Sequence, residues 1–239
     1  VFSRRIDDYW TERLGPTPPG LSVDNLAVAI RDHVDDAFRV MILLPATGPA
    51  RAILTPEVAD LIGQSDSWTL AGFQEALVRN GVVLHGADYI FYAPEEALVE
   101  IVSTPAPASV RRLTADDADL FAVFEGAASA RDLEDASVAL DDWAAFGAFE
   151  NGRLAAVGSL YPWRGGATLA DLGVLTLLAD RGKGHARALV HAMARHALAS
   201  GLSPQYRCQL DNQASVALAA SAGFRLYGKW TVEAPDGTT

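Results

Sequence analysis

A chain of 239 residues has room for one large domain or two small ones and for a sizeable core. Half of the residues are hydrophobic, yet no window approaches the ~18 uninterrupted apolar residues of a membrane span, and the opening VFSRRIDDYW has no apolar signal-peptide stretch. A formal charge of −11 argues against a nucleic-acid or anionic-membrane binder, and the single cysteine, Cys208, excludes an intramolecular disulfide framework and Cys-rich zinc sites, so the expected setting is a reducing cytoplasm.

In chain order, LAVAIRD, FRVMILLPA and RAILTPE read as strands, and EVADLIGQ and LAGFQEALVRN as helices. Asn80-Gly81 stops the second helix, and YIFYAP reads as one more strand. Trp10, Trp68, Phe91 and Tyr92 read as core or interface aromatics. STPAPAS at 103–109, two prolines among small residues, reads as a linker. It divides the chain into an αβ domain over 1–104 and a second domain over 109–239.

The second part opens with SVRRL as a short strand. Thr114 is a plausible N-cap for TADDADLFAVFEGA, with acidic residues in its first turn, and RDLEDASVALDDW reads as another short helix. Asn151-Gly152 between two apolar segments is a strong hairpin signal. A strand over 168–178 then enters ADRGKGHARALV. From Gly184 to Ser200 the apolar residues Ala186, Leu189, Val190, Met193, Ala194, Ala197 and Leu198 form one helical stripe, closed by Gly201. QYRCQL reads as a strand, NQASVALAASA as a helix begun by Asn212, and GFRLYGKWTVE as the final strands. The order β-α-α-β-β-β-α-β-α-β predicts an α/β domain of the α+β type with a mixed sheet.

The glycines around Lys183, between a strand and a helix, suggest a phosphate cradle. The P-loop pattern fails, because Gly184 follows Lys183 where a hydroxyl is needed. The dinucleotide fingerprint fails at Arg187, which stands in place of its third glycine. The pattern [QR]-x-x-G-x-[GA] is filled by Arg181, Gly184 and Ala186. Downstream, Asn212, Ser215, Ala219, Gly223 and Phe224 fall at an Asn-x-x-(Ala/Ser)…Gly-Phe spacing.

With these two motifs and the elements between them, residues 109–239 resemble the GCN5-related N-acetyltransferase (GNAT) superfamily. The first part is loosely similar to the cofactor-free, GNAT-like half of some two-part members. The resemblance implies a GNAT acyl-CoA N-acyltransferase fold preceded by a smaller αβ domain. It also implies acetyl-CoA as cofactor, no metal, and transfer of acetyl to an amine of a small-molecule or amino-acid-like acceptor. Arg181, Gly182, Lys183, Gly184, His185 and Ala186 would hold the pyrophosphate, mainly through backbone N–H groups at a helix start. Val174, Leu175 and Thr176 would lend backbone groups to pantetheine, and Asn212 and Ser215 would complete the cofactor site.

Many members supply the acid for the thiolate as a tyrosine seven residues after the asparagine. That position is Ala219 here, which leaves Tyr227 and Tyr161 as candidates. Asp171, near where some members carry a glutamate, is the candidate base, with a plain strand-entry carboxylate as the alternative. Glu150 at the hairpin reads as solvent-exposed. His185, His191 and His196 lie six and five apart, not at metal-binding helical spacing, and read as polar-face residues. Cys208 reads as a buried small hydrophobe.

A catalytically silent CoA-binding sensor or interaction module fits the intact loop as well, and Ala219 favours it. Neither nucleic acid nor membrane is expected as a partner. The oligomeric state stays open, a homodimer included.

Overall fold

The computed structural model describes residues 1–34, 38–63, 65 and 67–234. Its elements in chain order are α1 (Arg4–Leu14), β1 (Leu26–Ile30), β2 (Val40–Pro45), β3 (Ala50–Leu54), α2 (Pro56–Ile62), α3 (Leu70–Arg79), β4 (Asp88–Tyr92) and α4 (Glu95–Ser103). They continue with β5 (Val110–Leu113), α5 (Ala118–Ala127), α6 (Ala130–Ala136), β6 (Ala144–Glu150), β7 (Arg153–Pro162), β8 (Leu169–Thr176), α7 (His185–Ala199), β9 (Ser203–Gln209), α8 (Gln213–Ser221) and β10 (Arg225–Val232). The result is a mixed α/β fold, as the pattern predicts. No helix among the described residues is long and apolar enough to cross a membrane.

Contacts gather the chain into two compact units, each built from separate segments. The first takes Val1–Ile6, Phe91–Arg207 and Gln213–Arg225; segment 103–109 lies inside it. Its strands follow the order β9-β8-β7-β6-β5, antiparallel throughout except for the parallel β8–β9 pair. One face carries α5 and α6 over a core of Leu113, Phe121, Phe124, Leu154, Val157 and Leu175. α7 packs on β6, β7 and β8 with Leu189, Val190, Met193, Ala194 and Ala197 fully buried, the stripe that the sequence spacing predicts.

The second unit takes Asp7–Ile90, Cys208–Asn212 and Leu226–Thr239. Its strands follow the order β1-β3-β2-β10, with β1–β3 parallel and the other pairs antiparallel. α2 and α3 cover it through Val58, Phe73 and Leu77, packed on Leu26, Ile42 and Leu54.

Several boundaries differ from the sequence reading. α1 and α4 were not anticipated. Ile6, Tyr9, Trp10 and Leu14 form a buried helical stripe in α1, masked by the charged residues between them. α4 starts on Pro94 with Glu95 and Glu96 in its first turn and covers only nine residues. RDLEDASVALDDW is helical only to Ala136, because Ser137 turns left-handed at φ 47°. β3 ends at Leu54, and Pro56 opens α2 where RAILTPE read as strand. GFRLYGKWTVE holds one strand, β10. Gln64, at the end of the predicted helix EVADLIGQ, lies outside the described residues.

Candidate functional site

β8 keeps β7 as a partner to its end, from Ala170↔Pro162 to Thr176↔Ala156. Its pairing with β9 runs only from Leu169↔Ser203 to Leu172↔Tyr206. From Gly173 onward the β9-side edge of β8 is therefore open, and Val174, Leu175 and Thr176 lie along it. The Leu175 side chain is buried in the α5–α6 core, so only its backbone is available at that edge. A Cβ at Gly173 would stand 2.5 Å from the Ala136 carbonyl oxygen, so only glycine lets the end of α6 lie this close to the strand.

The chain then makes one 3₁₀ turn (Leu178–Asp180) and enters the glycine loop. Gly182 and Gly184 both adopt left-handed φ, 79° and 87°, with nothing within 4 Å of where a side chain would stand. Gly184 is the N-cap of α7, no side chain caps this end, and the first bond back to it is Ala188 N–H to the Gly184 carbonyl at 3.1 Å. The leading N–H groups of a 15-residue helix thus face open space with the positive end of its dipole.

The cations of the loop are turned elsewhere. Arg181 donates through Nε to the Thr176 carbonyl (3.2 Å) and through NH2 to Asp132 (3.0 Å). Lys183 Nζ donates to Glu150 Oε2 (2.7 Å) and Asp180 Oδ1 (2.8 Å). Asp180 is buried and also takes the two-pronged fork of Arg153 at 2.6 and 2.9 Å. Arg153 foremost, then Lys183, hold its carboxyl far below the usual carboxylate range. Glu150, expected in solvent, is half-buried because Lys183 draws it onto the loop. At either end of this stretch Thr176 Oγ1 and His185 Nε2 are buried with no hydrogen-bond partner, although His185 Nε2 stands 3.7 Å from Glu150 Oε2. Buried polar atoms of this kind are uncommon and fit a site built for a polar ligand.

Asp171 lies one residue before the last β8–β9 pair. It is 4% exposed and accepts from Tyr161 Oη (3.2 Å), Gln205 Nε2 (3.0 Å) and Arg207 Nε (3.3 Å). Tyr92 Oη extends the network by donating to Gln205 Oε1 at 2.5 Å, and the Arg207 guanidinium lies 4.9 Å over the Trp163 ring. Burial raises the Asp171 carboxyl above its ordinary pKa against the pull of Arg207. Burial and then the Asp171 charge push the Tyr161 phenol up to about 12. Tyr161, Asp171 and Gln205 form one cross-strand row.

A second carboxylate was not singled out from sequence. Ser159, the register partner of Gly173, donates to Asp142 Oδ2 at 2.6 Å and accepts from Ala139 N–H at 3.3 Å. Asp142 is half-buried on the loop after α6, and only the strand register brings it to the point where β8 and β9 part.

The remaining residues fall as follows. Ser215 is half-buried in the first turn of α8, and Asn212 immediately precedes that helix. Ala219, on the same helix, is fully buried. Tyr227 belongs to the second unit, donates to Asp7 Oδ1 at 3.1 Å and stacks on Trp10. Burial, and then Asp7, raise its phenol pKa. His191 and His196 are not polar-face residues, because α7 is packed on both sides. His191 Nε2 lies 3.2 Å from the Ala222 carbonyl, and the His196 ring packs on Trp143 and Phe146. Cys208 is buried. Among the described residues no group of His, Cys, Asp and Glu is arranged to hold a metal ion.

The sequence profile of the Acetyltransferase (GNAT) family matches residues 111–224. This segment is a GNAT-family domain. Among solved structures the chain is similar to a GNAT-family protein of Novosphingobium aromaticivorans, at 21% identity and a TM-score of 0.47, covering 63% of this chain and 64% of that one. A GNAT-family acetyltransferase of Colwellia psychrerythraea gives 17% and 0.48, covering 69% and 62%. A GCN5-related N-acetyltransferase of Kribbella flavida gives 15% and 0.48, covering 70% and 65%. The match spans less than two thirds of each of these three chains. No curated protein matches the chain. The GNAT domain thus contains the open β8 edge, the glycine loop, α7 and α8.

Proposed function

We propose that this protein transfers the acetyl group of acetyl-CoA to the amine of a small-molecule or amino-acid-like acceptor by direct attack, in a cytoplasmic setting. The observation that carries the reading is the uncapped start of α7, whose loop amides are open while both loop cations are committed to protein carboxylates and carbonyls. Residues 181–186 would take the pyrophosphate on backbone N–H groups, and the edge of Val174, Leu175 and Thr176 would pair with pantetheine. Asn212 and Ser215 complete the cofactor side of the proposal.

The chemistry requires an uncharged amine, whose lone pair attacks the thioester carbonyl, and release of the CoA sulfur with a proton. Asp171 is enclosed by three donors, so in this reading it holds Tyr161 and Arg207 at the opening and takes no proton from the acceptor itself. Asp142, half-buried and fixed by Ser159, is the base we assign. Asp142→Asn is expected to lower kcat about 100-fold, the ordinary worth of a general base, with CoA affinity unchanged. Equal turnover by the variant in a free-thiol assay would remove that role.

A second reading, a CoA-binding module without turnover, is favoured by one observation. The position of the family's tyrosine is a fully buried alanine, Ala219, which offers no proton to a thiolate. Incubation with acetyl-CoA and an amine panel separates the two readings. Thiol release on any amine supports the transferase, whereas tight CoA binding with none supports the module. Absence of CoA binding overturns both.

A further inference from the structure

We infer that Asp180 is a positioning residue for the anion loop: it acts through Lys183 and Arg153 to hold the amides of residues 182–186 in their binding arrangement. The inference deepens the proposed CoA reading and rests on it for the identity of the anion. It does not rest on it for the pin itself.

The loop has an intrinsic difficulty. Two residues with left-handed φ in a three-residue stretch give a backbone with glycine freedom at both bends, and glycine loses more entropy on ordering than any other residue. Something must fix it, and the start of α7 has no side-chain cap to do so. The fixing contacts are side-chain ones. Asp180 precedes the loop and its carboxylate is fully enclosed. Arg153 grips it from β7 with two parallel bonds, a geometry that specifies orientation as well as distance. Lys183, in the middle of the loop, returns to the same carboxylate and to Glu150 at the end of β6. The backbone from 180 to 183 is thereby closed into a ring and fastened to the β6–β7 hairpin. Arg181 fastens the opposite side to β8 and α6. No side chain caps the N–H groups at the start of α7.

This arrangement predicts a sign that simple electrostatics does not. Removing a carboxylate beside a bound pyrophosphate relieves repulsion and should tighten CoA. If Asp180 positions the loop, Asp180→Asn loosens it instead. The expected result by calorimetry is CoA binding about tenfold weaker, the scale of losing one hydrogen bond to a charged group. Amide hydrogen exchange without CoA should speed up at the bonded amides that flank the loop, Asp180 and Arg181 before it and Ala188 in the first turn of α7, while α5 and the β6–β7 strands keep their protection. In a double-mutant cycle, Asp180→Asn and Lys183→Met should weaken CoA binding by less than the sum of the two single effects, because part of the hold of Lys183 on the loop runs through Asp180 and the rest through Glu150.

CoA binding that is unchanged or tighter in Asp180→Asn overturns the inference, as does exchange at Asp180, Arg181 and Ala188 equal to that of the parent. Should Asp180→Asn fail to fold, Arg153→Gln, which leaves both loop residues in place, must speed exchange at the same flanking amides or the pin is refuted. If the parent protein binds no CoA, the proposed function fails, and the exchange comparison still decides the role of Asp180.

Discussion

Gly184 sits at φ 87° and ψ 0°, with open space where a side chain would stand. A substitution there meets no steric clash, so its whole effect is backbone strain, about 1–2 kcal/mol for an L residue held in the left-handed region. Gly184→Ala should therefore lower the melting temperature by only a few degrees, while CoA binding falls at least about tenfold as the helix-start amides rotate to relieve the strain. Parent-like CoA affinity in a folded Gly184→Ala would show that the amides of this turn are not the anion contacts. Lys183 illustrates the opposite case. In the sequence it looks like the phosphate ligand, whereas in the fold its charge is spent on Asp180 and Glu150. Asp171 was readable as a strand carboxylate on β8, but not as one enclosed by Tyr161, Gln205 and Arg207. Those three partners come from two other strands, and only the register aligns them.

At the scale of elements, the start of the GNAT domain hangs on one ion pair. Arg111 on β5 grips Asp117 at 2.9 and 2.6 Å, and Thr114 N–H donates to the same carboxylate at 3.0 Å, closing a capping box ahead of α5. The Arg111 hydrogen bond, and then Thr114, lower the Asp117 carboxyl to about 2. Its folded pKa is below the unfolded value of about 3.9, so the contribution is present above pH ~4 and is lost as pH falls toward 2. Arg111 is half exposed, so solvent screening reduces the contribution to about 1 kcal/mol. Denaturant midpoints of Asp117→Asn should lie below the parent's at pH 6 and meet them near pH 2. A constant gap across that range would place the effect elsewhere. Elements with strong local signals were legible from sequence: the Asn151-Gly152 hairpin, the stripe of α7 and the Thr114 cap. α1 and α4 were not, because a short helix among charges becomes distinct only when its few apolar residues meet a core. The backbone edge at Val174, Leu175 and Thr176 was implied by the family resemblance, and no local pattern marks where the opening between β8 and β9 begins. Asp142 was illegible for the same reason, since it reaches the site through its bond to Ser159 and the Ser159↔Gly173 register.

For the whole molecule, the governing quantity is the charge of −11. Such a field raises the local concentration of cations and depletes anions over a Debye length, about 10 Å at 0.1 M salt. The two substrates of the proposed reaction carry opposite charges, so salt should separate them. An ammonium-bearing acceptor is steered inward and CoA outward, and only the short-range amides of the loop favour the anion. Raising salt from about 20 to about 200 mM should therefore raise KM for a cationic amine several-fold. KM for acetyl-CoA should hold or fall over the same range, and an uncharged amine analogue should show no salt dependence. The pairing of signs is the informative part. A KM for acetyl-CoA that climbs steeply with salt would mean that free cations bind the pyrophosphate, and that Arg181 and Lys183 leave Asp132 and Asp180 to do so. Flat behaviour of the cationic amine would mean that the acceptor reaches its site without help from the overall field, leaving Asp142 and its immediate neighbours to recognise it unaided.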